Sequence, residues 1–363
     1  MDFVHSVGIY GNMIGVQVSL ALTDGKKIMD TASLFLPYPP DLRQRLTAFK
    51  RNVNTSNSPD KKLIHALDAE VSDWFVQASR LLFERIHCTP TIIGLYGQPI
   101  FFNNATWFLG SPKLLVSKLG IPVAYDFHRT DAIAGGNGHF LHAPYYRAVV
   151  DRAVELGDIE PPSDIAIINV SDVSSVTILP ANGEPIAFDA GPGLALVDEF
   201  TQIALQSEDT YGEIASKGDV CVTLLNQLKR ELYRMPVPSS VCDLRKFLPY
   251  VRLFHKCPPL DGVATLTTFI GQMIEHSFIP YPGVKLAVLA GRGTQNAFFK
   301  TLLASSFQII TPSSLSWNSH FEQSEQAAFN AVRRLHSLTI SYLTTTGVLL
   351  VCGRIKRVMP AKE

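Results

Sequence analysis

The first third of the chain switches between two hydrophobic periods. From residue 4 to residue 22 apolar and small residues alternate, with Gly11 and Gly15 as a break, which predicts strand, turn, strand. Asp24-Gly25 marks a second turn, and residues 28–36 read as a third strand. Residues 52–60 are polar and predict a loop. Asp60 then stands where an N-cap belongs, ahead of a long helix over residues 61–86 in which Leu63, Leu67, Val71, Trp74, Phe75 and Ala78 recur at helical spacing. Residues 90–97 predict a short buried strand. Residues 113–119 predict a helix closed by Gly120, in the usual place for a left-handed cap. A strand over 122–126 follows, then the turn Gly135-Gly136-Asn137-Gly138 and a helix over 145–156.

Residues 157–163 carry two prolines and no periodicity and read as a linker. The strand pattern then restarts. Residues 165–170 and 175–179 predict a hairpin, and 185–189 a further strand. Helices are expected over 194–206, 220–232, 265–276, 296–305 and 322–338, with a proline-containing loop at 235–240 and a strand at 285–290. Each half opens with consecutive strands and closes with helices alternating with a strand. That order predicts an α/β protein of two lobes with a ligand cleft between them. The expected division is lobe I over 1–160, lobe II over 161–347 and a tail over 348–363. The helical segment 322–347 is expected to pack back onto lobe I. Arg354, Lys356 and Arg357 in the tail read as a solvated end.

A chain of 363 residues, 46% hydrophobic, can bury a large core. Lys plus Arg equals Asp plus Glu, 32 against 32, so charge gives no case for nucleic acid or an anionic membrane as partner. Five scattered cysteines contain no CxxC pair, which argues against a zinc site or a disulfide framework and suits a reducing, cytoplasmic setting. The first residues lack a basic n-region, and the apolar stretch 338–352 is too short and too polar to cross a bilayer.

Four stretches carry candidate chemistry. Residues 285–303 run from a buried strand into Gly291-x-Gly293-x-x-Asn296 and a helix. Glycines there let a nucleotide approach the backbone, and the helix start offers amide donors; a ligand-free tight turn has the same pattern. In residues 188–200, Asp189 ends a strand and Gly191-Pro192-Gly193 turns into a helix bearing Asp198. A carboxylate in that position suits Mg²⁺ beside phosphate, or caps the helix. Residues 125–144 crowd Asp126, His128, Arg129, Asp131, His139 and His142 around the glycine turn, where a carboxylate can act as general base. The spacing of His139 and His142 would suit a metal only on a helix, which the glycines oppose. Residues 167–179 form a two-strand unit whose turn holds Ser171-Asp172, a carboxylate where a phosphate turn wants bare backbone.

The order of these pieces resembles the anhydro-N-acetylmuramic acid kinases, from about Val7 to Gly347. Tyr96-Gly97-Gln98-Pro99 resembles the family's HGQT, and residues 126–138 resemble DFRxxDxAxGGQG. Residues 169–177 stand in the place of NxGGxxN, residues 189–198 resemble DTGPGNxLxD, Thr265-Leu266-Thr267 matches a TLT, and residues 291–296 resemble GGGxxN. The resemblance implies an actin/hexokinase/Hsp70-like (ribonuclease H-like) two-lobed fold and a homodimer. It implies phosphorylation by ATP and Mg²⁺ of an anhydro amino sugar, in which water opens the 1,6-anhydro bridge while O6 takes the γ-phosphoryl group, as in recycling of cell-wall sugars. By the same resemblance Asp131 is the catalytic base, and Tyr96, Gln98, Asp126, His128, Gly135, Gly136 and Asn137 lie on the sugar. Gly11, Asn12, Gly15, Asn169, Asp189, Gly191, Gly193, Gly291, Gly293 and Asn296 lie on the nucleotide, with Asp189 as magnesium ligand.

The departures from the family pattern are local. The first phosphate loop, GTSxDG in the family, reads Tyr10-Gly11-Asn12-Met13-Ile14-Gly15, so Ile14 replaces its aspartate and Gly11 and Asn12 its Thr-Ser hydroxyls. The paired glycines of NxGGxxN are Ser171-Asp172. Tyr96, His128 and Leu194 replace a histidine, an arginine and an asparagine, and His139-Phe140-Leu141 replaces APL. Phosphoryl transfer depends on positioning and charge stabilisation. The alternative to a working enzyme is therefore a catalytically impaired relative that binds sugar or nucleotide in a regulatory role.

Overall fold

The computed structural model describes residues 1–55, 61–102, 105–160, 164–232 and 241–357. The expected cap Asp60, the end of the linker at 161–163, the loop 235–240 and the end of the tail at 358–363 lie outside the described residues. The chain forms two compact units. One comprises Met1–Arg152, His320–Ser341 and Val348–Glu363; the other comprises Ala153–Ser319 and Tyr342–Gly347.

The first unit begins with an antiparallel meander, β1 (Val4–Gly11), β2 (Gly15–Thr23) and β3 (Ile28–Pro37). Helices α1 (Pro40–Thr55) and α2 (Lys61–Ile86) follow, then β4 (Ile92–Phe102), β5 (Ala105–Leu109), α3 (Pro112–Leu119), β6 (Val123–Tyr125), α4 (Phe127–Ile133) and α5 (Ala143–Leu156). Residues 52–55 of the loop expected at 52–60 are instead the end of α1, and 56–60 lie outside the described residues. Gly120 closes α3 in the left-handed region at φ 69°, its N–H reaching the Val116 carbonyl.

The second unit contains β7 (Asp164–Val170), β8 (Val173–Pro180), β9 (Ile186–Pro192), α6 (Ala195–Leu205), α7 (Val222–Leu232), α8 (Pro259–Ser277), β10 (Leu286–Ala290), α9 (Ala297–Leu303) and β11 (Gln308–Ile310). Its five-stranded sheet has the order β11-β10-β7-β8-β9, antiparallel through β7, β8 and β9 and parallel at β10 and β11. Helix α8 is buried along most of its length and packs against α6, α7 and α9. Together with the sheet it forms a core that includes Ile168, Val176, Phe188, Phe200, Leu266, Phe269, Leu289 and Phe299.

The chain then returns to the first unit as α10 (Glu322–Leu335) and β12 (Arg354–Lys356). The sheet there has seven strands, in the order β12-β6-β4-β1-β2-β3 with β5 on β4. The alternation of β1 explains its two faces. Val7 and Ile9 join Val16, Val18, Leu42, Leu67, Val71, Phe75, Ile93 and Leu115 in the core under α1, α2 and α3. Gly8, between them, points at α10. A β-carbon on Gly8 would sit 1.8 Å from the Ser324 carbonyl oxygen, and one on Gly94 of β4 would sit 1.9 Å from that of Ala327. Helix α10 thus rests directly on the backbone of β1 and β4, which requires glycine below and Ala327, Ala328 and Ala331 above. Burying each large side chain of such a core contributes roughly 1.5–3 kcal/mol.

Two expectations for the C-terminal region are corrected. The last helix ends at Leu335, with Ser337 in the left-handed region. Residues 354–356 are not a free end: they pair antiparallel with β6, Ile355 opposite Ala124, and form an edge of the sheet, while the Arg354 and Arg357 side chains stay exposed as expected.

Candidate active site

The residues expected on the sugar gather around α4 and the glycine turn that follows it. Asp126 enters the helix at φ 61°, a left-handed value that aspartate tolerates better than most residues. It approaches Arg354 of β12 at 3.9 Å. One helical turn beyond Phe127 lies Asp131, fully buried. Its Oδ2 accepts the Gly138 N–H at 2.8 Å and its Oδ1 accepts the Ser341 hydroxyl at 2.5 Å. The Ser341 oxygen is also 2.7 Å from Cys352 Sγ. The backbone carbonyl of Asp131 accepts the Gly136 N–H at 3.0 Å. Gly136 is pressed against the carboxylate so closely that a β-carbon would lie 2.2 Å from Oδ2. Gly135 and Gly138 take φ values of 93° and 70° that complete the turn, and Asn137 Oδ1 accepts the His139 N–H at 2.8 Å. The sequence GGNG is therefore a cradle that fixes one carboxylate through the Gly138 N–H and the close packing of Gly136.

In front of this cradle lies a cavity of about 260 Å³ lined by Tyr96, Phe108, Asp126, Phe127, His128 and Arg129 together with Leu95, Gly97, Gly110, Pro112 and Tyr125. Polar groups on aromatic walls suit a small polar ring. Phe108 stacks on His128 at 5.5 Å with 7° between planes, and Tyr96 meets His128 edge-on at 5.1 Å. His128 Nδ1 lies 2.9 Å from the Gly138 carbonyl. The rings around His128 strip it of water and lower its pKa to about 4, against a smaller opposing effect of that carbonyl, so it works as a neutral imidazole near pH 7. Burial likewise lowers His142 to about 3. The Tyr96 hydroxyl accepts from Asn330 Nδ2 at 2.8 Å, and burial raises its pKa. Gln98 does not line the cavity. It is buried over Gly11, where a β-carbon would lie 2.8 Å from Gln98 Oε1.

The turn between β1 and β2 has a different occupant from the one its position suggests. Asn12 Oδ1 accepts the N–H groups of Ile14 at 2.8 Å and Gly15 at 3.0 Å, and the Asn12 N–H donates to the Gly15 carbonyl at 2.9 Å. The amides that a phosphate would need are spent on the asparagine side chain. Ile14 itself is 56% exposed and offers nothing polar.

In the second unit the three remaining motifs converge at one end of the β10-β7-β8 strands. The β7–β8 turn holds Ser171 and Asp172. Leu194 N–H donates to the Ser171 carbonyl at 2.7 Å and Gly193 N–H to the Asp172 carbonyl at 2.9 Å, tying that turn to the one entering α6. Gly291 abuts the same turn: a β-carbon there would lie 2.4 Å from Asn169 Oδ1, and one on Gly293 would lie 2.8 Å from Val170 Cβ. Asn169 Oδ1 accepts the Ser171 hydroxyl at 3.2 Å. Gly191 extends β9 at φ 140°. Asn296 is fully buried; its Oδ1 caps α9 through the Phe299 N–H at 2.8 Å, so its side chain serves the helix and not an open surface.

Arg292, between the two glycines, bridges the turns through one guanidinium nitrogen, 2.9 Å from Asp172 Oδ1 and 2.6 Å from Asp198 Oδ2. Asp189 stands apart from this bridge. Its Oδ2 accepts the Cys242 N–H at 2.6 Å, and burial raises its pKa to about 7 against that hydrogen bond. One oxygen of Asp189 is thus already engaged by a backbone donor. Among the described residues no three His, Cys, Asp or Glu side chains form a group that could hold a metal ion. No described helix is long and apolar enough to cross a membrane.

Four residues of this arrangement escape sequence reasoning. Ser341 and Cys352 reach Asp131 from more than two hundred positions away. Asn330 reaches Tyr96 from α10, and Arg292 declares itself only once its two aspartates are seen in space.

The profile of the family described as anhydro-N-acetylmuramic acid kinase matches residues 7–353. The protein of that name from Acidiphilium cryptum is 29% identical over 372 residues, covering 99% of this chain and 100% of its own. Those from Rhizorhabdus wittichii and Rhodopseudomonas palustris are 31% and 30% identical, each over 92% of this chain and over 92% and 93% of their own. Among solved structures, the activator of the 2-hydroxyisocaproyl-CoA dehydratase from Clostridium difficile is similar at a TM-score of 0.42 and 12% identity, over 92% of this chain and 96% of that one. The chain belongs to the anhydro-N-acetylmuramic acid kinase family.

Proposed function

We propose that the protein phosphorylates 1,6-anhydro-N-acetylmuramic acid from ATP. The observation that carries this reading is the buried Asp131 carboxylate, held by the Gly138 N–H and the Ser341 hydroxyl, while the Gly138 carbonyl meets His128 of the aromatic cavity in the first unit. The cavity takes the sugar, with Asp126, His128 and Tyr96 on its polar side. Asp131 removes a proton from water. The water oxygen bonds to C1, the C1–O6 bond breaks, and O6 takes the γ-phosphoryl group, leaving ADP. Asp131 is fully buried in the free protein, so water must be admitted to its carboxylate when the substrates bind, with the Gly138 and Ser341 bonds still orienting it. The turns at 171–172, 191–194 and 291–293 in the second unit take the nucleotide through backbone. Magnesium would enter as the companion of ATP, with Asp189 the candidate ligand that the sequence offers.

Purified protein with ATP, Mg²⁺ and the anhydro sugar should release ADP and form N-acetylmuramic acid 6-phosphate; absence of both products under saturating substrates counts against the proposal. The homodimer belongs to the same reading, and light scattering should give twice the 40.0 kDa of one chain.

A second reading is favoured by one observation. Asn12 consumes the amides of the β1–β2 turn, and Ile14 replaces its acid. A protein that binds sugar and nucleotide but transfers slowly, in a regulatory role, has this pattern. Tight binding of both ligands with turnover no faster than that of Asp131→Asn would select it.

A further inference from the structure

The turns of the second unit carry two charges that the family pattern does not expect. Asp172 stands where NxGGxxN has its second glycine, and Arg292 stands where GGGxxN has its middle one. The structure brings these two positions, 120 residues apart, to 2.9 Å from each other, with Asp198 of α6 on the same guanidinium nitrogen. The backbone of Asp172 cannot withdraw. The carbonyls of Ser171 and Asp172 are fixed by the Leu194 and Gly193 amides, and Gly291 is packed against the strand end beneath them. The Asp172 backbone is therefore fixed at the turn, and its exposed carboxylate starts from the place where bare backbone would otherwise meet phosphate. Alone, it would repel a polyphosphate. The three side chains are exposed, 75% for Asp172, 47% for Arg292 and 37% for Asp198, so they are free to meet a ligand and contribute little to stability.

We propose that Asp172 and Arg292 are a compensating pair, in which Arg292 cancels the charge that Asp172 places in the phosphate turn and so keeps the site open to a nucleoside triphosphate. The proposal rests on the reading of these turns as the nucleotide site. It assigns Arg292 a positioning and specificity role that depends on its charge and not on a contact made by its planar fork.

The test is calorimetric titration of the full-length protein with the Mg²⁺ complex of a non-hydrolysable ATP analogue, adenosine 5′-(β,γ-imido)triphosphate. The variants are Asp172→Ala, Arg292→Ala, the double variant and Arg292→Lys. Removing Arg292 should weaken binding about tenfold, and removing Asp172 should tighten it by a similar factor. The double variant should return to within about twofold of the unsubstituted protein, and Arg292→Lys should stay there as well. Raising salt from low ionic strength to 0.5 M should shrink both single effects together.

A double variant as weak as Arg292→Ala alone, or a large loss in Arg292→Lys, overturns the proposal and makes Arg292 a direct phosphate ligand. Equal affinities across all variants overturn it too. Failure of the unsubstituted protein to bind the analogue overturns the nucleotide reading itself, and this inference with it. Thermal unfolding of each variant verifies that the fold is retained.

Discussion

Gly136→Ala tests whether the cradle around Asp131 serves the reaction. Gly136 has an ordinary backbone conformation, so alanine there strains nothing by itself. Its β-carbon, however, would lie 2.2 Å from Asp131 Oδ2, 2.6 Å from Cγ and 2.7 Å from Oδ1, where ordinary contacts begin at 3.4 Å. The carboxylate must move by about 1 Å or the turn must open, and either breaks the bonds from Gly138 N–H and the Ser341 hydroxyl. Hydrogen bonds to a charged group are worth about 1.5–3 kcal/mol each, so a stability loss on the order of 2–4 kcal/mol follows. A misplacement of about 1 Å can reduce turnover roughly a hundredfold. The assay is kcat/KM from coupled ADP release, alongside thermal unfolding and nucleotide titration. The expected result is a folded protein with unchanged nucleotide affinity and turnover near that of Asp131→Asn. A folded Gly136→Ala protein with kcat/KM within about threefold of the unsubstituted enzyme would refute the reasoning, since the carboxylate would then need no fixed position.

Three further outcomes follow from the geometry. Ser341→Ala removes one of the two bonds that orient Asp131 and should lower kcat about tenfold while leaving nucleotide affinity intact, which steady-state kinetics and calorimetry read separately. Ile14→Asp returns an acid to a turn where the side chain is exposed; it should raise kcat by about tenfold or more with little change in melting temperature, and an unchanged kcat would show that this turn is not part of the reaction. Burial raises Glu322, which accepts the Tyr146 hydroxyl at 2.5 Å, and nearby Glu325 to about pH 7. A carboxyl whose folded pKa exceeds its unfolded one keeps its proton longer in the folded state, so stability falls as pH rises from about 4.5 to about 7 and then levels. Glu322→Gln should remove its part of that loss, so that the variant gains stability relative to the unsubstituted protein as pH rises from about 4.5 to about 7, whereas two parallel melting-temperature profiles would contradict the raised pKa. The lowered values of His128 and His142 act in the opposite sense and leave a loss of stability below about pH 6.5 in both proteins.

The elements with strong periodicity were legible in the sequence because their burial repeats at a fixed spacing. Strand β1 alternates Val7 and Ile9 with Gly8 and shows both its faces in one line of text. Helices α1 and α4 were not legible. The first is polar along much of its length, and the second is seven residues running straight into a glycine turn. Strand β12 has three residues, and only its pairing with β6 defines it. The candidate site divides in the same way. The GGNG turn and the glycines at 191–193 and 291–293 announce close backbone approach, and the structure shows what they approach. Side-chain roles were less accessible. Asn12 is turned inward onto its own amides, Asn296 is a helix cap, and Asp189 is a buried hydrogen-bond acceptor, because local donors compete successfully for polar groups that a pattern can only count. Ser341 and Arg292 depend on partners more than a hundred residues away, a relation that no local spacing encodes.

The measurement that bears most directly on the account is turnover in ¹⁸O-labelled water. Protein, ATP, Mg²⁺ and 1,6-anhydro-N-acetylmuramic acid are incubated together, and the sugar product is weighed by mass spectrometry beside a reaction with Asp131→Asn. The account predicts N-acetylmuramic acid 6-phosphate carrying one ¹⁸O at C1, formed together with ADP and lost in the Asp131→Asn variant. A product formed equally by both proteins, or no product from a protein that binds both substrates, would contradict it.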